Sequence, residues 1–246
     1  EIENMGSIVE CFSADVSNLK EMEALVEDIK KEHGNIYGVI HSAGVAGDGI
    51  LFQKDENVFD EVLRPKVEGT LVLDYILRRD PLDFFILFSS VASIFGGIGQ
   101  SDYATANTYM DAYSLYRNKL GKKTLTINWP AWKDTGMAVD YGANQGAFFK
   151  ALHTEDAVQF FDEVINSNLS RVIIGELNYS LLSETAMDSS VVSLSEEIIS
   201  DLKNKSKHIS IDKTNQEENQ STNVQLKGRI KGDYTDTERK LAQIWA

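Results

Sequence analysis

Ser90, Tyr103 and Asn107 fall together in the stretch Ser89-Ser90-Val91-Ala92-Ser93-Ile94-Phe95-Gly96-Gly97-Ile98-Gly99-Gln100-Ser101-Asp102-Tyr103-Ala104-Thr105-Ala106-Asn107. These residue types at these spacings suit the reduction of a carbonyl. Tyr103 to Leu120 has helical character, so Tyr103 and Asn107, four residues apart, project from one face. Ser90 follows Asp83–Ser89, an apolar run of strand length, at the end where open α/β sheets place ligands. A ketone oxygen between the two hydroxyls would meet a hydrogen-bond donor and a proton source.

A phenol has an unperturbed pKa of about 10, so it needs a nearby cation to work near neutral pH. The candidate is Lys66, in Leu63-Arg64-Pro65-Lys66-Val67-Glu68-Gly69-Thr70, on an upstream helix. Short-chain dehydrogenases usually carry the lysine four residues after the tyrosine, where this chain has Asn107. The exchange of lysine and asparagine resembles the ketoreductase domains of modular polyketide synthases and animal-type fatty acid synthases. His41-Ser42-Ala43-Gly44 resembles the turn that lies along the cofactor in that family. Asn128-Trp129-Pro130-Ala131-Trp132, followed by Gly136-Met137, is similar to the segment leading into its substrate lid.

The resemblance implies the reduction of a β-ketoacyl thioester, carried on the phosphopantetheine arm of an acyl carrier protein, by hydride from NADPH. Tyr103 would donate the proton, Ser90 would hold the ketone oxygen, Lys66 would lower the tyrosine pKa, and Asn107 would order the site. Asp15 and Val16, with Ser42, Ala43 and Gly44, would line the cofactor, Asp15 at the acidic position beside the adenine; His41 takes a structural or cofactor-lining role. Asp48, Phe95, Trp129 and Met137 would border the substrate. Ala46-Gly47-Asp48 keeps the final Asp of the family's stereochemical loop motif, and Phe95 stands where another group has Trp. That pattern resembles the B-type group, which gives a D-configured alcohol.

Each residue also has an ordinary reading. Ser90 could be a turn residue, Tyr103 a core ring, Asn107 a backbone ligand and Lys66 a solvated helix charge. Their joint spacing favours chemistry. Two other functions remain: a noncatalytic scaffold within a synthase, and a free-standing short-chain dehydrogenase, which Asn107 and the C-terminal sequence disfavour.

The 246 residues, 42% of them hydrophobic, suffice for one sizeable core, and no run approaches the roughly 20 apolar residues of a membrane span. A net charge of -14 argues against nonspecific nucleic-acid binding. The four histidines do not cluster at metal-ligand spacing, so no metal is expected. The single cysteine, Cys11, permits no internal disulfide and reads as a strand-borne small hydrophobe. This composition suits a cytosolic enzyme.

Periodicity predicts strands at Gly6–Phe12, Ile36–Ile40, Asp83–Ser89, Thr124–Trp129 and Arg171–Glu176. Helices are expected at Leu19–His33, Asn57–Arg79, Tyr103–Leu120 and Thr154–Asn166. Such alternation is that of an α/β, doubly wound, Rossmann-like parallel sheet. The catalytic part is expected over residues 1–182 and a polar linker over 183–232, with a short helix at Ser193–Lys203. Residues 233–246 resemble the first helix of an acyl carrier protein, which implies neighbouring synthase domains.

No Gly-x-Gly-x-x-Gly turn precedes a helix in this sequence, although a dinucleotide pyrophosphate normally sits on one. In the family's order Gly6–Phe12 matches the third strand, so the family's first two strands and their helices are expected to be missing from this sequence. This piece alone is therefore expected to be inactive.

Overall fold

The middle of the sheet is written in Phe84-Phe85-Ile86-Leu87-Phe88. Successive side chains of a strand point to opposite faces, so a continuous apolar run is stable only where both faces are covered. In the computed structural model, which describes residues 2–47, 49–142, 148–178 and 195–201, both faces of this strand are covered. Four parallel strands, β1 (Gly38–His41), β2 (Phe84–Ser90), β3 (Leu125–Trp129) and β4 (Arg171–Ile173), pair in the order β1-β2-β3-β4. Phe85 and Leu87 join Leu73 and Met110 on one face. Ile86 joins Leu125, Ile127, Trp129, Leu152, Ala157 and Ile174 on the other, with Phe88 packed against them.

Helices α1 (Leu19–His33), α2 (Glu56–Ile76) and α4 (Ser101–Lys119) alternate with the strands; the short α3 (Ala92–Phe95) and α5 (Met137–Asp140) and the longer α6 (Thr154–Ile165) complete the layer structure. Side chains open α1 and α2: Asn18 accepts from the Glu21 amide at 3.4 Å and Asp55 from the Asn57 amide at 2.8 Å. Pro65 lies inside α2 without ending it; the His41 ring nitrogen lies 3.0 Å from its carbonyl oxygen. The face that α4 buries is polar, with Asp102, Asn107, Asp111, Ser114 and Arg117 all buried. Each needs an interior partner: Arg117 pairs with Asp74, and Ser114 donates to the Ser170 carbonyl at 2.8 Å.

The α/β parallel sheet agrees with the sequence reading, and the predicted helices and four of the five strands are present within a few residues. The strand expected at Gly6–Phe12 is not formed. Residues 7–12 are exposed and carry no regular structure; no described segment pairs with them, and a strand without a ladder partner leaves its amides to water. Cys11 is correspondingly exposed rather than buried in a sheet.

The chain divides into Glu1–Leu177 and Asn178–Ala246. In the second unit the described residues 196–201 are helical, within the helix expected at Ser193–Lys203. The rest of the expected linker and carrier-protein segment lies outside the described residues. Among the described residues no helix is long and apolar enough to cross a membrane.

Candidate active site

Ser90 is the last residue of β2, in register with Trp129 of β3. Beyond it the chain turns into α3, and the Ala92 amide donates to Ser90 Oγ at 3.2 Å, leaving the hydroxyl proton for another acceptor. Its neighbour Ser89 faces α4: its hydroxyl donates to the Asn107 carbonyl at 3.3 Å. Tyr103 lies in the first turn of α4 and Asn107 one turn later, where the Asn107 amide group donates to the Tyr103 carbonyl at 2.7 Å. Lys66 enters from α2, only 2% exposed. Its ammonium donates to the Phe88 carbonyl at 2.8 Å and lies 5.9 Å from the Tyr103 ring centroid.

Ser90, Tyr103 and Lys66 line one cavity of about 780 Å³ at the C-terminal ends of the strands. This is where parallel α/β sheets present ligands. Phe95, Trp129 and Met137 line it too. Phe95 packs against Phe148 and Phe149, and Trp129 against Phe88 and Trp132, forming an aromatic wall. Asn107 does not reach the cavity; it is fully buried behind it, and its Oδ1 has no hydrogen-bond partner. A buried acceptor left open in this way calls for a donor from water or a bound molecule.

Of the residues expected along a cofactor, only Ser42 lines the cavity. Gly44 stands behind Lys66, and a Cβ there would lie 2.9 Å from Lys66 Cε, so glycine makes room for the buried lysine stem. Asp15 is exposed and caps a local turn: it accepts from the Ser17 amide at 2.9 Å and its hydroxyl at 2.7 Å, bonds that hold its carboxyl below the usual range. Val16 packs against the core cluster of Leu73, Phe85, Leu87 and Met110. Asp48 lies outside the described residues.

Burial governs the charges. It lowers Lys66 from 10.5 to about 8, with Asp111 opposing the shift. His41 falls to about 4, chiefly through burial and secondarily through Lys66, so it is a neutral ring at pH 7. Burial also raises the Tyr103 phenol, while hydrogen bonds from Ser90 and Asn107 pull it back. The sequence reading has Lys66 lowering that phenol. In this arrangement the lysine donates to the Phe88 carbonyl, and burial is the largest influence on the phenol.

Sequence reasoning passed over the polar cluster behind Ser90. Asn128 donates to the Ser90 carbonyl at 3.2 Å and to Ser93 Oγ at 2.9 Å, and lies 3.0 Å from both carboxyl oxygens of Asp111. Arg171 closes the cluster, 3.0 Å from Asn128 Oδ1 and 2.9 Å from Asp111 Oδ2. The one available signal was spacing: Asp111 lies a helical turn beyond Asn107 and two beyond Tyr103, on the face turned to the sheet.

The model of the KR domain family matches residues 1–134. Polyketide synthase PksN of Bacillus subtilis (strain 168) is 39% identical over 186 residues, 72% of this chain and 3% of that protein. Polyketide synthase PksL of the same organism is 44% identical over 133 residues, 52% of this chain and 3% of that protein. The chain thus spans a few hundredths of the length of these relatives. Among solved structures, an N-terminal ketoreductase from the macrolactin assembly line superposes with a TM-score of 0.66 at 36% identity, covering 74% of this chain and 37% of that one. A ketoreductase domain from the bacillaene assembly line gives 0.64 at 34% identity, over 72% and 45%. With the parallel sheet and the family match in agreement, the chain belongs to the KR domain family, the ketoreductase domains of modular polyketide synthases.

Proposed function

We propose that this chain forms the catalytic part of a ketoreductase that reduces a β-ketoacyl thioester on an acyl carrier protein to the β-hydroxyacyl thioester, with NADPH as the reductant. The observation that carries the reading is the convergence of Ser90, Tyr103 and Lys66 on one cavity at the strand ends. Its aromatic wall and few polar groups suit a flat nicotinamide ring beside an acyl chain. These groups fit the nicotinamide end of the cofactor; for the pyrophosphate end this sequence has no Gly-x-Gly-x-x-Gly turn leading into a helix. When bound, NADPH supplies the hydride that the ketone carbon receives.

The chain's own residues do the rest. Ser90 donates a hydrogen bond to the ketone oxygen and fixes its direction. Tyr103 delivers its proton to that oxygen as negative charge develops there. Lys66, charged below a pKa of about 8, stabilises the phenolate left behind. The aromatic wall excludes water from the carbonyl. The loop containing Asp48 resembles that of the B-type group, so the D-configured alcohol is the proposed product.

Tyr103→Phe tests this reading in the protein carrying the complete domain, because it removes the proton and keeps the ring. Turnover of a β-ketoacyl thioester should fall about 100-fold or more. Near-normal turnover by the variant would remove Tyr103 from the proton-donor role, whereas no turnover by the wild-type domain would favour the noncatalytic scaffold.

A further inference from the structure

Tyr103 enters the cavity from an element with little of its own to hold it. The chain reaches α4 through Gly96-Gly97-Ile98-Gly99, with Gly96 and Gly99 at positive φ of 69° and 75°, and Gln100 at the helix start gives no side-chain cap. A glycine-rich approach to an uncapped helix leaves the first turn free to shift.

An ion pair on the adjoining segment restrains it. Lys54, at the end of the stretch joining β1 to α2, pairs with Asp102 at 2.6 Å, the two side chains only 2% and 0% exposed. The same ammonium donates to the Gly99 carbonyl at 3.1 Å. The other Asp102 oxygen accepts from the Tyr103 backbone amide at 2.8 Å. One lysine thus grips both ends of the short turn before the tyrosine. Gly47, which lines the cavity, seals the pair: a Cβ there would lie 2.2 Å from Asp102 Oδ2.

Burying two charges rarely adds stability over apolar side chains of similar size. Their specific yield is a fixed geometry. We propose that Lys54 and Asp102 are positioning residues that lock the segment after β1 to the first turn of α4 and so set how far the Tyr103 hydroxyl reaches into the cavity. The inference rests on Tyr103 being the proton donor. A displacement of about 1 Å at a reacting group can cost about 100-fold in rate, so a loosened first turn should appear in kcat. Lys54 does not line the cavity, so binding of NADPH should be spared.

The test uses the protein carrying the complete ketoreductase domain, with the N-acetylcysteamine thioester of a β-keto acid as the probe substrate. Lys54→Met and Asp102→Asn each leave one buried charge alone and should lower the melting temperature. The double variant removes both charges, while the side-chain amide oxygen introduced at position 102 can still accept from the Tyr103 backbone amide, so it should melt close to the wild type. Its kcat should nevertheless fall about 10-fold or more, with KM for NADPH unchanged within about twofold. A double variant with wild-type kcat overturns the proposal. So does one that fails to fold, since the pair would then be a requirement of folding rather than of the phenol's position. Tyr103→Phe, assayed in parallel, separates the two readings: if it retains turnover the proton-donor role fails, whereas an inactive Tyr103→Phe beside a fully active double variant defeats the positioning role alone.

Discussion

Replacing Lys66 by Met should stabilise the chain at neutral pH while abolishing catalysis. Lys66 is 2% exposed, and burial lowers its pKa from 10.5 to about 8. A drop of that size costs the folded state about 3 kcal/mol wherever both states carry the proton, at 1.36 kcal/mol per pKa unit. Against this, Met leaves the Phe88 carbonyl without the lysine donor at 2.8 Å, a loss of about 1–3 kcal/mol. The net gain at pH 7 is about 0–2 kcal/mol. Its pH dependence is the sharper signature. Between pH 8 and 10.5 the unfolded state of the wild type binds more protons than the folded state, so wild-type stability rises through that window. Lys66→Met lacks this titration. Its advantage should be full below pH 8 and should shrink by about 3 kcal/mol on going to pH 10.5. Urea unfolding of this chain and of the variant at pH 7, 8, 9 and 10 measures the difference, in which the other titrating groups cancel. A difference that stays flat with pH would show that Lys66 is not held in a desolvated site.

Asn128→Leu should destabilise the chain by about 2–4 kcal/mol, because the fully buried amide bonds the Ser90 carbonyl, Ser93 and Asp111; a change below about 0.5 kcal/mol in urea unfolding would mean that the cluster contributes little. This chain by itself should bind NADPH only weakly, since its sequence contains no Gly-x-Gly-x-x-Gly turn for the pyrophosphate. Calorimetric titration checks this, and submicromolar binding would place the phosphate site elsewhere in the chain. The product formed by the complete domain should be predominantly D-configured on chiral chromatography; an L-configured product would make Asp48 an ordinary loop residue.

Much of the fold could be read locally. Both-face burial is legible in Phe84-Phe85-Ile86-Leu87-Phe88, because only an interior parallel strand can hide every residue of such a run. The helix carrying Tyr103 and Asn107 follows from spacing, since the 3.6-residue period fixes which side chains share a face. By itself, then, the sequence determined the α/β alternation and nominated Ser90, Tyr103, Asn107 and Lys66.

Tertiary structure alone decided what depends on partners distant in the chain. Gly6–Phe12 has the residues of a strand and no ladder, because a strand exists only by pairing. Asn107 does not line the cavity that Ser90, Tyr103 and Lys66 share; it is fully buried, with its amide on the Tyr103 carbonyl. Lys66 was given its low pKa, and Tyr103 its high one, by desolvation, which no local sequence window encodes. Lys54 and Asp102, 48 residues apart, became a buried pair only when the segment after β1 closed over the start of α4. A charge's partner is set by chain crossing, whereas its periodicity along a helix is set by the backbone.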